Sequence, residues 1–212
     1  SDEEVLDATY KWVDAVIVHM KVCPFSSSTF KAGLPIGGVC YPLSRATTSE
    51  EMYQAFWQEV ENLQLTDERE LATTLLVAPD FAPYSAGGFD AFADTLNNAL
   101  SSLGLEEQLQ LVFFHPEYTF RDGQNRFGTE NEGAAANYAR RSPYPMINLL
   151  RTPPVRAAQK GVPTGSVYTT NEGNLATIGS AKLQAMLERR EWGGILAEKG
   201  FKKQNVDVIR GV

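Results

Sequence analysis

An alternation of short apolar runs with longer helical repeats constrains the fold of this chain more than any other feature. The runs LATTLLVAP (71–79) and LQLVFFHP (109–116) have the length and near-continuous apolarity of buried strands. Apolar residues recur at helical spacing in segments 52–63 and 89–103. Strand, helix, strand, helix, strand is the order of βαβ units with right-handed crossovers. We therefore predict an α/β fold built on a small three-stranded βαβαβ sheet with helices packed on it.

Cap and turn residues indicate where these elements begin and end. VCYPLSRA (39–46) is predicted as the first strand, and Pro42 favours an edge or a bulge because it lacks a backbone donor. Thr48 and Glu51 form the capping-box pattern that starts a helix. Gly104 is the C-terminal stop of the next helix.

Regular patterns fade after Pro116. Residues 117–179 are rich in Gly, Pro and Asn and are predicted to be largely loops and short helices. A last helix is predicted near 180–190. The expected organisation is a single α/β domain over 1–192, followed by a C-terminal arm over 193–212.

Charge and composition exclude several classes of protein. The net charge of −7 argues against non-specific nucleic-acid binding, which requires basic patches. No apolar run approaches the roughly 20 residues of a transmembrane helix. Two cysteines do not indicate a disulfide framework, and free thiols in a reducing compartment are the simpler interpretation. The chain begins at Ser1 without Met, which indicates a truncation or a mature form that has lost a targeting peptide.

Positive charge is concentrated around a stiff turn, NYARRSPYPMINLLR (137–151). Segment 121–160 has seven basic and three acidic residues, so it carries +4 while the remainder carries −11. Guanidinium groups bind carboxylate or phosphate in a bidentate way, and the prolines on both sides of the tyrosine restrict the turn. The alternative is that these arginines pair with the chain's own acids or cap helices. The predicted anion- or partner-binding residues are Arg140, Arg141, Ser142, Tyr144 and Arg151.

A second candidate site lies where the first helix, which begins near residue 3, ends before Pro24. His19 and Cys23 are four residues apart and would share a helical face, either as metal ligands or as a thiol beside a base. A helix C-terminus disfavours a thiolate, so a buried, inert thiol is the favoured interpretation. Two further soft ligands at a recognisable spacing are missing, and no metal site is predicted.

His115 is a third candidate, because it stands at the C-terminal end of a predicted central strand. It could act as a general acid or base, with Arg141 or Arg151 holding an anionic substrate. The alternative is a histidine that hydrogen-bonds a loop carbonyl. Dinucleotide, Walker and nucleophile-elbow motifs are absent, so no cofactor is predicted.

Several motifs together resemble the bacterial and plant family catalogued as domain of unknown function 1415. They occur in the family's order as far as about Trp192. The resemblance implies a soluble protein without an established activity, with plastid-directed members in photosynthetic eukaryotes. One departure is Asn148, which stands where the family pattern has a histidine before LLR; the loop 122–136 is also enlarged and the tail extended. The matching motifs are CPF (23–25), TTLLVAP (73–79), FHPEYTF (114–120), NYARRSPYP (137–145) and NLATIG (174–179).

These observations predict a non-catalytic accessory protein that docks on a larger assembly through the arginine-proline surface, the long loop and the C-terminal arm. The resemblance extends this expectation to a photosystem on its stromal face, hence to a plastid stroma or stromal membrane surface, with the cytoplasm as the other location. The alternative is an enzyme on a small carboxylate or phosphate substrate, with His115 as acid/base and Cys23 as an optional nucleophile.

Overall fold

The computed structural model describes residues 1–33, 36–120, 135–160 and 165–202. Its strands are β1 (Ser26–Ser28), β2 (Lys31–Ala32), β3 (Gly38–Cys40), β4 (Leu71–Val77), β5 (Leu109–Phe114) and β6 (Met146–Arg151). Its helices are α1 (Asp2–Trp12), α2 (Ser49–Leu65), α3 (Ala86–Ser102), α4 (Thr152–Gln159), α5 (Ser166–Ile178), α6 (Ser180–Arg189) and α7 (Gly193–Ala197). A π-helix, Val13–His19, continues α1.

The strands form one six-stranded sheet in the order β1-β2-β3-β4-β6-β5. The α/β class is confirmed, but the predicted three-stranded sheet is wrong. Strands β3 and β4 are parallel, whereas β6 lies between β4 and β5 and is antiparallel to both. Strand β6 falls inside the segment predicted to be irregular, where prolines and arginines next to it mask its short apolar pattern. The β1–β2 hairpin covers the predicted edge strand β3, and β5 is at the edge instead.

Helices pack on both faces of the sheet, so the core has two halves. Every residue of β4 is buried, and alternate side chains enter opposite halves. Leu75 and Val77 pack with α1, the π-helix and the C-terminal helices, while Leu76 packs with α2 and α3. The candidate site lies on the face of the sheet that carries Leu75 and Val77.

Local signals place the ends of several elements as predicted. The Thr48 hydroxyl accepts from the Glu51 amide and the Glu51 carboxylate accepts from the Thr48 amide, which forms the capping box of α2. Gly104 has a φ of 66° directly after the last turn of α3. The first helix ends at His19, before the predicted position near Cys23.

The beginning of the predicted C-terminal arm is packed on the domain. Ile195 and Phe201 of the arm are buried, together with Trp192 just before it, in the same half of the core as α1. The rest of the arm, 203–212, and most of the predicted long loop, 121–134, lie outside the described residues. Within the described ranges, no helix is long and apolar enough to cross a bilayer.

Candidate functional site

The arginine-proline turn is an internal part of the domain. Pro143, Tyr144 and Pro145 are buried, and Ser142 is fully inaccessible. The Ser142 hydroxyl donates a 2.6 Å hydrogen bond to the Tyr144 carbonyl, which closes the turn that leads into β6. The Arg190 guanidinium lies 4.6 Å from the centre of the Tyr144 ring. Burial raises the pKa of Tyr144, and the charge of Arg190 opposes that increase.

Arg151 is held by backbone carbonyls at the end of β6. Its Nη2 lies 2.6 Å from the carbonyl oxygen of Leu63 and 2.7 Å from that of Thr66. Its Nε and Nη2 approach the Leu71 carbonyl at 3.3 and 3.1 Å. These contacts join the C-terminal end of α2 to the start of β4, so the guanidinium is directed into the protein.

Arg141 is also engaged internally. Its Nε donates to the Tyr118 carbonyl at 3.0 Å, and its Nη1 donates to the Tyr138 hydroxyl at 3.1 Å. The guanidinium also lies 4.9 Å from the centre of the Tyr138 ring. The Arg141 carbonyl accepts a 3.0 Å hydrogen bond from the indole of Trp12, which connects the turn to α1.

His115 is buried, and backbone groups occupy both nitrogens of its ring. The Glu117 amide donates to Nδ1 at 3.0 Å, so Nδ1 is an acceptor and the proton of the neutral ring is on Nε2. Nε2 then donates to the Ala82 carbonyl at 2.9 Å. His115 is therefore a histidine that hydrogen-bonds a loop carbonyl, which is the alternative to a general acid or base given in the sequence analysis.

His19 and Cys23 do not form the pair that their spacing suggests, because the helix ends between them. His19 Nε2 lies 2.9 Å from the Glu198 carbonyl oxygen, at the C-terminal segment. Cys23 instead lines a cleft. Across the described ranges, no group of three or more His, Cys, Asp or Glu side chains could hold a metal ion.

The cleft has a volume of about 650 Å³ and lies on the sheet face formed by β5 and β6. Segments near Cys23 and Ala139, together with α4 and α5, form its other walls. Most of the lining is apolar or aromatic, including Ile17, Phe25, Val112, Phe114, Phe120, Leu150, Val155 and Tyr168. Polar side chains among these walls include Cys23, Gln110, Arg140 and Asn148, and the acidic side chain of Glu172 also lines the cleft.

Arg140 is the cleft residue that sequence reasoning identified as an anion partner. Its guanidinium carbon lies 5.5 Å from the centre of the Tyr118 ring and 5.9 Å from that of Phe120. Two aromatic faces therefore orient this cation. Among the residues that the structure describes, no carboxylate is within ion-pair distance of Arg140, Arg141 or Arg151.

Two carboxamides lie on the floor of the cleft. The Gln110 Nε2 is inaccessible and has no hydrogen-bond partner within the described part of the chain. Asn148 Oδ1 lies 2.7 Å from the Thr73 hydroxyl. Asn148 was singled out in the sequence as a departure from the family pattern, whereas Gln110 was overlooked. The available signal was a single polar residue inside the apolar run LQLVFF.

Cys23 is half-buried in the cleft wall. Burial raises the pKa of its thiol, and hydrogen bonds from the Phe25 backbone and from Ser26 offset only part of that increase. The protonated thiol is therefore the form present near neutral pH. Two of the seven predicted site residues, Cys23 and Arg140, line the cleft. The other five do not line it and contact groups inside the protein instead; they are His115, Arg141, Ser142, Tyr144 and Arg151.

A family model described as a protein of unknown function (DUF1415) matches residues 4–185 of the chain. No curated protein and no solved structure matches the chain.

Proposed function

The chain belongs to the family of proteins of unknown function DUF1415, and we propose that it binds a small organic anion in the cleft. The observation that carries this proposal is Arg140, a cation oriented by two aromatic rings at the wall of an apolar cavity. The anion would pair with Arg140, which has no acidic partner among the described residues although Glu172 also lines the cleft.

The dimensions and lining of the cleft support a small-molecule ligand. Pockets for such ligands enclose roughly 300–1,000 Å³ and combine apolar walls with a few polar groups. The volume of about 650 Å³ and the mixture of Phe, Val and Ile with Arg140 fit that description. The apolar walls would contact the body of the ligand, while its acidic group would meet the guanidinium.

Binding alone is proposed, because the cleft supports no general acid or base of the kind predicted from the sequence. His115 does not line it, and both ring nitrogens are engaged by backbone groups. The Cys23 thiol has a raised pKa, which disfavours the thiolate that a nucleophile requires.

Calorimetric titration with aromatic and aliphatic carboxylates, each paired with its neutral primary alcohol, tests this function. Acids should bind at least about tenfold more tightly than the alcohols, and Arg140→Met should remove that preference. Arg156→Met is the matched control, since Arg156 pairs with Glu107 outside the cleft. Equal binding of acids and alcohols, or of wild type and Arg140→Met, would contradict the proposal.

Docking on a larger assembly is a second proposed function, and a basic groove favours it. The groove has a volume of about 670 Å³ and surrounds Trp192 at the base of the C-terminal arm. The charged residues that line the groove are Lys11, Lys182, Arg189, Arg190 and a single acid, Glu191. Lys11 pairs with Asp7 at 2.6 Å, whereas no ion pair within the described ranges involves the other three basic residues.

The partner of this groove would present an acidic surface. Charge reversal in Lys182→Glu/Arg189→Glu should abolish capture of the protein's partners from a native extract, while Lys31→Glu, on the β1–β2 hairpin, should leave capture unchanged. Identical capture by both variants would count against docking here. The plastid location and the photosystem stay predictions from the resemblance.

A further inference from the structure

We infer that the ligand of the cleft is a carboxylic acid that also carries a secondary amide, and that Gln110 and Asn148 recognise the amide. This inference rests on the proposed anion-binding function, because it assigns the second polar group of the same ligand. It is carried by the arrangement of the two carboxamides on the sheet.

Gln110 and Asn148 are neighbours on one face of the sheet. In the β5–β6 pair, Gln110 is opposite Leu150 and Val112 is opposite Asn148. Directly opposite residues of an antiparallel pair point to the same face, so Gln110 and Asn148 are diagonal neighbours, roughly 7 Å apart. Both line the cleft, so a single ligand group can contact both amides.

The hydrogen bonds of Thr73 determine which end of the Asn148 amide faces the cleft. The buried Thr73 hydroxyl lies 2.7 Å from the Leu149 carbonyl oxygen and also 2.7 Å from the oxygen of the Asn148 side chain. A hydroxyl has one proton, so it cannot donate to both oxygens. One of the two contacts would then bring two acceptors together without a proton between them.

Rotation of the Asn148 amide by half a turn removes this conflict. Thr73 then donates to the Leu149 carbonyl, and the Asn148 NH₂ group donates to the Thr73 oxygen. Oxygen and nitrogen of an amide are assigned from such networks. This orientation turns the Asn148 carbonyl oxygen away from Thr73 and makes it an acceptor for the cleft.

Gln110 supplies the complementary donor. Its Nε2 is inaccessible and has no acceptor among the described residues. A buried donor without a partner is costly, and the same half-turn rotation of the Gln110 amide moves the NH₂ group out of this inaccessible position to the one now held by the amide oxygen. A ligand oxygen in the cleft, which Gln110 lines, can then accept a hydrogen bond from it. Gln110 therefore donates and Asn148 accepts, and a secondary amide offers the matching C=O and N–H groups.

Arg140 completes the specificity by binding the carboxylate. A ligand with its acid on the guanidinium and its amide on the sheet would place its apolar substituents against walls such as Phe25 and Phe114. N-acylated amino acids with an apolar side chain have this combination of groups. A plain fatty or aromatic acid would satisfy Arg140 but leave the Gln110 donor and the Asn148 carbonyl oxygen without a partner.

Matched probes test the amide without altering the protein. N-acetyl-phenylalanine, its ester analogue O-acetyl-phenyllactic acid, and 3-phenylpropionic acid would be titrated calorimetrically into wild-type protein. The ester replaces the N–H by an oxygen, so it removes the donor for Asn148 and places an acceptor there. We expect the amide to bind at least about tenfold more tightly than either of the others.

Variants then assign the preference to the two residues. Asn148→Ser should reduce the amide-to-ester ratio to about threefold or less, because only the amide has the N–H. Gln110→Met removes the donor to the carbonyl that amide and ester share, so it should reduce the ratio of amide to 3-phenylpropionic acid instead. Gln108→Met, outside the cleft lining, should preserve both ratios. Urea unfolding verifies that each variant is folded. Equal affinities for all three acids in wild type would overturn this inference while leaving anion binding intact. Failure of every acid to bind would instead overturn the proposed function.

Discussion

Replacing Arg151 by Met should destabilise the protein by about 3 kcal/mol. The Nη2 group has two protons, which can be donated to the Leu63 and Thr66 carbonyls, and Nε donates to Leu71. Hydrogen bonds from charged donors contribute a net ~1.5–3 kcal/mol each, and those between neutral groups ~0.5–1.5 kcal/mol. Because the side chain is half-buried, we take about 1 kcal/mol for each of the three bonds.

The side chain of Met retains much of the packing of the arginine stem, so the loss reports mainly the hydrogen bonds. Arg151→Lys should lose about 2 kcal/mol, since an ammonium group can replace roughly one of the three contacts. Urea unfolding followed by tryptophan fluorescence measures the loss of stability in both variants. The slope of the unfolding free energy against urea concentration should stay the same as in wild type.

Arg156→Met is the control, because its exposed ion pair with Glu107 should contribute less than about 1 kcal/mol. Arg151→Met should also leave ligand affinity in the cleft unchanged, because Arg151 does not line it. A loss below about 1 kcal/mol for Arg151→Met would refute the assignment of this arginine to the internal framework. Lost ligand affinity with normal stability would return it to the binding site.

Three further predictions follow from local contacts. Thr48→Ala removes the oxygen that accepts from the Glu51 amide, and should cost about 1 kcal/mol in urea unfolding; an unchanged midpoint would contradict the cap. His115→Phe leaves the Ala82 carbonyl and the Glu117 amide without partners and should cost about 2–4 kcal/mol by the same measurement, so wild-type stability would contradict the assigned hydrogen bonds. In a Cys40→Ser background, alkylation of Cys23 should still accelerate as the pH rises above 9.0, the ordinary pKa of the thiol, because its raised pKa delays formation of the thiolate. A rate that levels off below that pH would show that the pKa is not raised, and a bound ligand should slow the reaction.

Elements whose signals are local were predictable from the sequence. The capping box at Thr48, the glycine after α3 and the apolar run of β4 each depend on residues within a few positions of one another. Such signals act before any tertiary contact forms, so they identify an element and its ends. They do not identify its neighbours, and the predicted three-stranded sheet was therefore wrong.

The candidate site depended on long-range contacts that no local pattern contains. Three arginines lie in the same short basic stretch of the sequence, 137–151. In the structure Arg140 lines the cleft, whereas Arg141 and Arg151 are hydrogen-bonded to groups inside the protein. The difference arises from distant residues such as Tyr118 and Leu63. A guanidinium has the same charge at each position, and only its surroundings decide whether it meets a ligand or a backbone carbonyl.

The sequence by itself determined the α/β class, the main helices, two of the principal strands and the family. Tertiary structure decided that β6 is inserted between β4 and β5, which brings Asn148 beside Gln110 on one face. The physical reason is that helix caps and apolar periodicity act over a single turn or strand. Strand pairing is selected by the burial of whole faces, which requires the complete chain to be folded.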